Sequence, residues 1–230
     1  MRLDRLLSHS PLYSRRQSRL LISTGRLRVD GDVVRDPYYE VSAFQRVELD
    51  GTLVQEGRSA RYWMLNKPVG VVSATRHDTH RTVLDLLDEA DKHELHLAGR
   101  LDLNTSGLLL LSNDGHWSRR ITLPEQRKPK VYRVDTEQPI SEDYIEVFAR
   151  GLYFAYEDLT TLPAQLELLG SQRARLTLYE GRYHQVKRMF GHFRNRVVAL
   201  HREQMGEIHL DPNLAPGQYR ALTAAEIASV

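Results

Sequence analysis

The sequence predicts an α+β protein in two parts: a small module over residues 1–58 and a larger domain over 59–230 with a mixed, mainly antiparallel sheet. Three observations predict it. Two short amphipathic segments lead into R-L-R-V-D-G-D-V-V at 26–34, two alternating runs joined through Asp30-Gly31, which is the strongest short hairpin signal. Residues 55–60 read Q-E-G-R-S-A, polar, small and without periodicity, as a linker does. Beyond them, strand-like and helix-like patterns alternate irregularly, with no internal repeat and no low-complexity tract, which suits an α+β domain. A chain of 230 residues is long enough for a small domain plus a larger one.

In the first part, residues 1–9 put Leu3, Leu6 and Leu7 on one helical face. Pro11 interrupts, and Ser14 is placed to N-cap a second helix, S-R-R-Q-S-R-L-L-I-S, ending near Thr24-Gly25. Leu20, Leu21 and Ile22 supply its apolar contact. After the Asp30-Gly31 hairpin, Arg46–Asp50 alternates again and runs into Gly51.

The second part opens with R-Y-W-M-L-N, a strand ending at Lys67-Pro68, and Val71–Ser73 is expected to return as another. Thr82–Leu87 reads as a short helix capped by Thr82. The run Leu108–Leu111, closed by Asn113-Asp114-Gly115, suits a buried strand, although periodicity alone also admits a buried helical turn. H-W-S-R-R-I-T is helical up to Pro124, Lys130–Val134 is a strand, and Ile140–Arg150 is a helix closed by Gly151. Residues 163–168, 174–179 and 196–200 alternate as strands. A helix starting at Gly181 is expected through E-G-R-Y-H-Q-V-K-R-M-F, a further strand over Met205–Leu210, and a final short helix after the capping box Thr223–Glu226.

Composition narrows the function. No apolar run approaches the roughly 18 residues of a membrane span, and Met1–His9 lacks a signal-peptide core, so neither a membrane partner nor export is expected. There is no cysteine, which excludes disulfides, thiolate catalysis and cysteine zinc sites and fits a reducing cytoplasm. Net charge is only +2, but residues 1–29 hold seven arginines (2, 5, 15, 16, 19, 26, 28) against the single acid Asp4, a local +6. Such an arginine-rich end is a footprint for phosphate groups, because the planar guanidinium fork fits phosphate oxygens. Two more clusters follow, +5 over 119–133 and +6 over 182–202.

Residues 99–115 read G-R-L-D-L-N-T-S-G-L-L-L-L-S-N-D-G: one carboxylate, Asp102, in a polar loop locked to an apolar run. Taken alone, Asp102 reads as a turn residue bonded to its own backbone. The motifs around it change that reading. R-L-D-R-L-L-S-H with S-R-R-Q-S-R-L-L-I-S-T-G-R-L-R-V-D-G resembles the S4 RNA-binding domain. The resemblance implies that Arg2, Arg5, Arg15, Arg16 and Arg19 lie on or near an RNA face. K-P-V-G at 67–70, the Asp102 motif, K-V-Y-R-V with Tyr132 and E-G-R-Y-H-Q-V-K-R-M with Lys187 occur in one order. Together with the first module they resemble the small-subunit ribosomal RNA pseudouridine synthases over essentially the whole chain.

That resemblance implies an isomerase converting one uridine of 16S ribosomal RNA to pseudouridine. Asp102 would be the nucleophile acting on a flipped-out nucleotide, either at C1′ or by taking the 2′ proton. Tyr132 would stack on the base, and Lys187 would pair with Asp102. Arg100, Val186, Arg188 and Lys67 are expected at the substrate, with Arg188 able to share the part of Lys187. Exchange of one bond for another calls for no metal and no redox cofactor, and a monomer acting in the cytoplasm is expected. A base inside a helix is out of reach of side chains, so it must be flipped and held by stacking.

Other readings are weaker on the residues. A relative acting on 23S ribosomal or transfer RNA would share much of the pattern, and a non-catalytic S4-type assembly factor would not require Asp102, Tyr132 and Lys187 together. A glycoside hydrolase would need a second carboxylate. Asp114 is better explained by its N-D-G turn. His77-x-x-His80 and His93-x-x-His96 have ligand-like spacing but no further ligands at fixed distance. His184 is read as an RNA contact or a packing residue, and Trp63 and Trp117 as core.

Overall fold

The computed structural model describes residues 1–230, and its internal contacts divide the chain into two units, Met1–Ala60 and Arg61–Val230. The first unit holds α1 (Leu3–Ser8), α2 (Arg15–Ser23), β1 (Leu27–Val29), β2 (Asp32–Val34), β3 (Val47–Leu49) and β4 (Thr52–Gln55). Ser14 caps α2 in a full capping box with Gln17, so local chemistry alone fixes that start. The strands form an antiparallel sheet in the order β2-β1-β3-β4. Both hairpins turn through Asp-Gly pairs with φ of 51° and 91° at Asp30-Gly31 and 49° and 82° at Asp50-Gly51, the doubly positive pattern of tight hairpins. Gln55, expected in the linker, instead ends β4, and its amide donates to the carbonyls of Ser42 and Gln45.

Leu3, Leu7, Ile22, Leu27 and Val47 make the core of this unit, while Leu20, expected to pack, is exposed. One acid is buried among them. Asp4 is only 2% exposed and accepts from Arg2 (Nε 3.1 Å, Nη2 2.7 Å) and from Arg19 (Nε 3.1 Å). Arg2 and Arg19 also lie over the Tyr38 ring.

The second unit runs β5 (Tyr62–Lys67), a 3-10 turn at Val83–Leu86, β6 (His96–Ala98), β7 (Thr105–Ser112), α3 (Gly115–Thr122), β8 (Lys130–Thr136) and α4 (Asp143–Arg150). It continues through β9 (Tyr153–Phe154), β10 (Leu159–Thr160), β11 (Gln165–Gly170), β12 (Arg173–Leu178), α5 (Gln185–His192), β13 (Val197–Met205), β14 (Ile208–His209), β15 (Tyr219–Ala221) and α6 (Ala224–Ala228). The main sheet has the order β11-β12-β8-β13-β7-β5-β15, with β14 on β13 and β6 on β7. Every pairing is antiparallel except β13 with β7. The sheet is therefore mixed and mainly antiparallel, in an α+β domain.

β7 explains the four-leucine run. Leu108 and Leu110 pack with Met64, Trp117 and Ile121 on one face, and Leu109 and Leu111 with Leu65, Val83 and Leu84 on the other. A strand covered on both faces reads as a continuous apolar run. Gly107 is the last residue of β7 paired with β13: a Cβ there would come within 2.3 Å of the Arg202 carbonyl oxygen, and φ is +103°. Only glycine lets the two strands approach so closely.

Several elements differ from expectation. Val71–Ser73 is not a strand. Val72 makes a single bridge to Thr82, because Ser73 turns its hydroxyl to the backbone of Leu101. α4 starts at Asp143, not Ile140. The strands expected at 196–200 and 205–210 are the long strand β13 plus the short β14. The polar residues 201–204 look like a break in sequence, yet His201 and Arg202 pair with both β7 and β8, the register shifts at Glu203, and Gln204 pairs with β8 and β14; buried Arg202 donates from Nε to the Leu108 carbonyl (2.8 Å). β6, β9, β10 and β15 are too short to leave a periodic signal. No helix is long and apolar enough to cross a membrane.

Hydrogen bonds from Arg2 hold the Asp4 carboxyl below its ordinary value of 3.8, with Arg19 adding to the effect against the cost of burial. A lowered carboxylate value contributes stability above the unfolded value, lost as pH falls through the folded one. Amide exchange at Leu3–Leu7 should therefore accelerate as pH is lowered below 3.8, relative to the pH trend in an Asp4→Asn variant. Parallel trends in the two proteins would refute the linkage.

Candidate active site

A cleft of about 780 Å³ opens in the second unit where the start of β7, the middle of β8 and the N-terminus of α5 meet. The loop carrying Asp102, residues 99–104, is fastened from below. Fully buried Lys67, at the end of β5, directs Nζ to the carbonyls of Thr105 (2.8 Å), Pro68 (3.0 Å), Asp102 (3.2 Å) and Leu103 (3.4 Å). Gly70 N–H donates to Leu103 O (2.9 Å), and Thr105 N–H to Asp102 O (3.1 Å). Ser73 Oγ donates to Leu101 O (2.7 Å) and accepts from Leu101 N–H (3.1 Å). The K-P-V-G motif is thus the anvil on which the loop is shaped.

This corrects the reading of Lys67 as a substrate contact: its ammonium is consumed by backbone carbonyls and does not face the cleft. Burial pushes its pKa down to about 8, with the Asp102 charge acting the other way. A buried ammonium avoids a larger penalty only by such pairing.

The Asp102 side chain is 32% exposed at the cleft. Its Oδ2 lies 3.1 Å from Lys187 Nζ, in the first turn of α5, and 3.4 Å from His184 Nε2. Tyr132 of β8 lines the same cleft, 9% exposed, between Leu176 and Arg202 on the neighbouring strands. Val186 lines it too and is otherwise part of the apolar core. Arg100 is exposed at the cleft beside Asp102. Arg188 is turned away: its Nη1 and Nη2 pair with Glu157, and the group stacks on Phe154. Neither that ion pair nor the ring lies in the cleft, so the expectation that Arg188 meets the substrate or replaces Lys187 is corrected.

The helix carrying Lys187 does not start at Gly181. It starts at Gln185, after His184 in the left-handed region (φ 49°, ψ 31°). A non-glycine residue there costs about 1–2 kcal/mol. The turn is held by buried Glu180, which accepts from Leu162 N–H and the Gln185 amide (2.8 Å each) and from Arg182 Nε (2.8 Å). Sequence reasoning did not place His184 at the carboxylate. Its position inside the Lys187 motif was the only available signal.

Other candidates fall into structural parts. Asp114 caps α3, accepting from His116 and Trp117 N–H and from the Tyr62 hydroxyl. His77 accepts from the backbone of its own turn, and His96 pairs with Ser118. In the first unit, Arg5 and Arg15 line a second concavity of about 530 Å³ with His9 and Tyr13, and Arg16 is exposed. Arg2 and Arg19 share the buried Asp4.

The chain is similar to known proteins over both units. Residues 61–192 match the family model described as RNA pseudouridylate synthase. The chain belongs to the RNA pseudouridylate synthase family. Residues 1–47 of this pseudouridine synthase match the S4 domain. Proteins named ribosomal small subunit pseudouridine synthase A are 62% identical in Pseudomonas aeruginosa and 46% in Escherichia coli K12, each over 230 residues and covering 100% of both chains. A crystal structure of a pseudouridylate synthase superposes with a TM-score of 0.73 at 38% identity, covering 100% of this chain and 99% of that one. The enzyme is thus an isomerase acting on RNA.

Replacing Lys67 with Met removes the ammonium donor from four carbonyls, of which Asp102 O and Leu103 O keep a backbone N–H. The variant should lose on the order of 2 kcal/mol of stability and most of its pseudouridine formation. The pH term has a definite sign. The folded value near 8 lies below the ordinary 10.5, so wild type should gain stability relative to the variant as pH rises from 8 towards 10.5. Thermal unfolding across that range checks the stability and its pH trend, and a pseudouridine assay checks the activity; an active variant of wild-type stability would contradict them.

Proposed function

We propose that this pseudouridine synthase isomerises a specific uridine of 16S ribosomal RNA, with Asp102 as nucleophile on a flipped-out nucleotide. One observation carries the reading: a single carboxylate on a clamped loop, with a lysine ammonium 3.1 Å from one oxygen and a tyrosine ring in the same cleft. The net reaction breaks the N1–C1′ bond of uridine and forms a C5–C1′ bond. N1 gains a proton and C5 loses one, so no oxidant or reductant is consumed. A carboxylate suits the electron-poor sugar carbon, and Lys187 orients it. Tyr132 offers its ring to the extruded base, replacing the stacking lost from the helix. Arg100, exposed beside Asp102, is placed to take a phosphate flanking the flipped nucleotide.

The small-subunit target is supported by relatives matched over the full chain, which are named ribosomal small subunit pseudouridine synthase A. The domain reading is that residues 1–58 bind RNA and 59–230 carry the chemistry. Arg5, Arg15 and Arg16 remain available for phosphates, whereas Arg2 and Arg19 are partly engaged by Asp4.

Asp102→Asn keeps shape and removes the nucleophile. Binding of 16S RNA should stay within about threefold while isomerisation falls on the order of 10³-fold or more. Carbodiimide-adduct primer extension on 16S RNA reads the product, and pseudouridine at the wild-type rate would end the proposal. A protein lacking residues 1–58 should stay folded and bind RNA more weakly, with a shallower dependence of affinity on salt. Unchanged affinity and salt slope would remove the RNA-binding assignment of that segment.

A further inference from the structure

His184 has no part in the function argued so far, yet it combines three unusual features. It lies in the left-handed region at φ 49°, a conformation that disfavours a side chain of its size. It stands at the N-cap of α5 but makes no capping hydrogen bond, so helix initiation does not explain it. Its ring stacks on Tyr183 at 3.9 Å and 21°, and its Nε2 lies 3.4 Å from Asp102 Oδ2. Strain held in place by its surroundings is a pointer to function when it aims a group at a reactive centre. The surroundings here are the Glu180, Arg182 and Gln185 hydrogen bonds, which fix the turn on both sides of the histidine.

The contacts to Asp102 are one-sided. Lys187 Nζ and His184 Nε2 both approach Oδ2, and no hydrogen bond or ion pair engages Oδ1. We propose that His184 is a positioning residue that, with Lys187, holds Oδ2 of Asp102 and thereby selects Oδ1 as the oxygen that reacts. Two contacts on one oxygen, a 3.1 Å hydrogen bond from Lys187 and a 3.4 Å approach by the imidazole Nε2, restrict the rotation of the carboxylate more than one donor on a flexible lysine stem does. Tyr183, 76% exposed, supports the imidazole from its outer face. The left-handed turn is what brings the ring back over the loop from the start of α5. This inference rests on the reading of Asp102 as nucleophile.

Two substitutions separate the contact from the backbone. His184→Gly relieves the left-handed strain and removes the imidazole contact. His184→Gln retains the strain and places an amide N–H near the position of Nε2. Single-turnover pseudouridine formation and RNA affinity are measured on the full-length enzyme, with thermal unfolding as control. The glycine variant should fold with unchanged or higher melting temperature, react roughly 10- to 100-fold more slowly, and bind RNA within about threefold of wild type. The glutamine variant should recover part of the rate. A glycine variant reacting at the wild-type rate overturns the inference, as do equal rates in the two variants or a defect confined to RNA affinity. Asp102→Asn is assayed beside them. If it stays active, the nucleophile reading fails and this inference with it; if it is silent while His184→Gly is unimpaired, this inference alone fails.

Discussion

The Lys67 ammonium is the constraint on which the rest of the site depends. An ammonium taken out of water is costly, and here four backbone carbonyls answer it, three of them within the Asp102–Thr105 stretch. Those carbonyls point inward towards one centre, so the loop closes around the lysine, with Leu101 and Thr105 buried and Asp102, Leu103 and Asn104 left accessible. Asp102 is exposed to the cleft because its own carbonyl is held below. Ser73 and Gly70 complete the fastening from the segment that follows Lys67. A loop shaped in this way holds a carboxylate with little freedom, as a reacting group requires.

The sheet supplies the other half of the arrangement. Its one parallel pairing, β13 with β7, starts at Thr105, immediately after the loop. Gly107 permits the close approach, and Arg202, buried opposite it, neighbours Tyr132 across the next pairing. The strand that ends the Asp102 loop and the strand that carries Tyr132 are therefore both registered against β13. α5 then brings Lys187 to the carboxylate through a strained turn anchored by Glu180. The ring and the cation reach one cleft by independent routes, one through strand register and one through a helix start.

The basic first module illustrates how net charge is divided between folding and binding. The single acid among the seven arginines of residues 1–29 is not at the surface. Asp4 is buried and draws Arg2 and Arg19 into an ion-pair cluster beneath Tyr38. The same residue types thus serve the core of a small unit, where every buried group counts, and leave Arg5, Arg15 and Arg16 outward. Charge counting in the sequence cannot make that division, because it depends on which guanidinium lies within reach of a buried carboxylate.

Several features governed by near neighbours and by patterns of burial were legible in the sequence. The Ser14–Gln17 and Thr223–Glu226 capping boxes and the Asp30-Gly31 hairpin form as their local chemistry dictates. The four-leucine run is a strand buried on both faces, and the motifs around Asp102, Tyr132 and Lys187 marked the family. Tertiary structure alone decided where long polar side chains go. Lys67 points into the fold, Arg188 turns to Glu157, and His184 swings back to Asp102. The physical reason is distance along the chain. Lys187 meets Asp102 across 85 residues and Lys67 meets Thr105 across 38, and a flexible cation takes whichever oxygen the completed fold brings within reach. Periodicity records which face of an element is dry; it holds no record of which partner waits there.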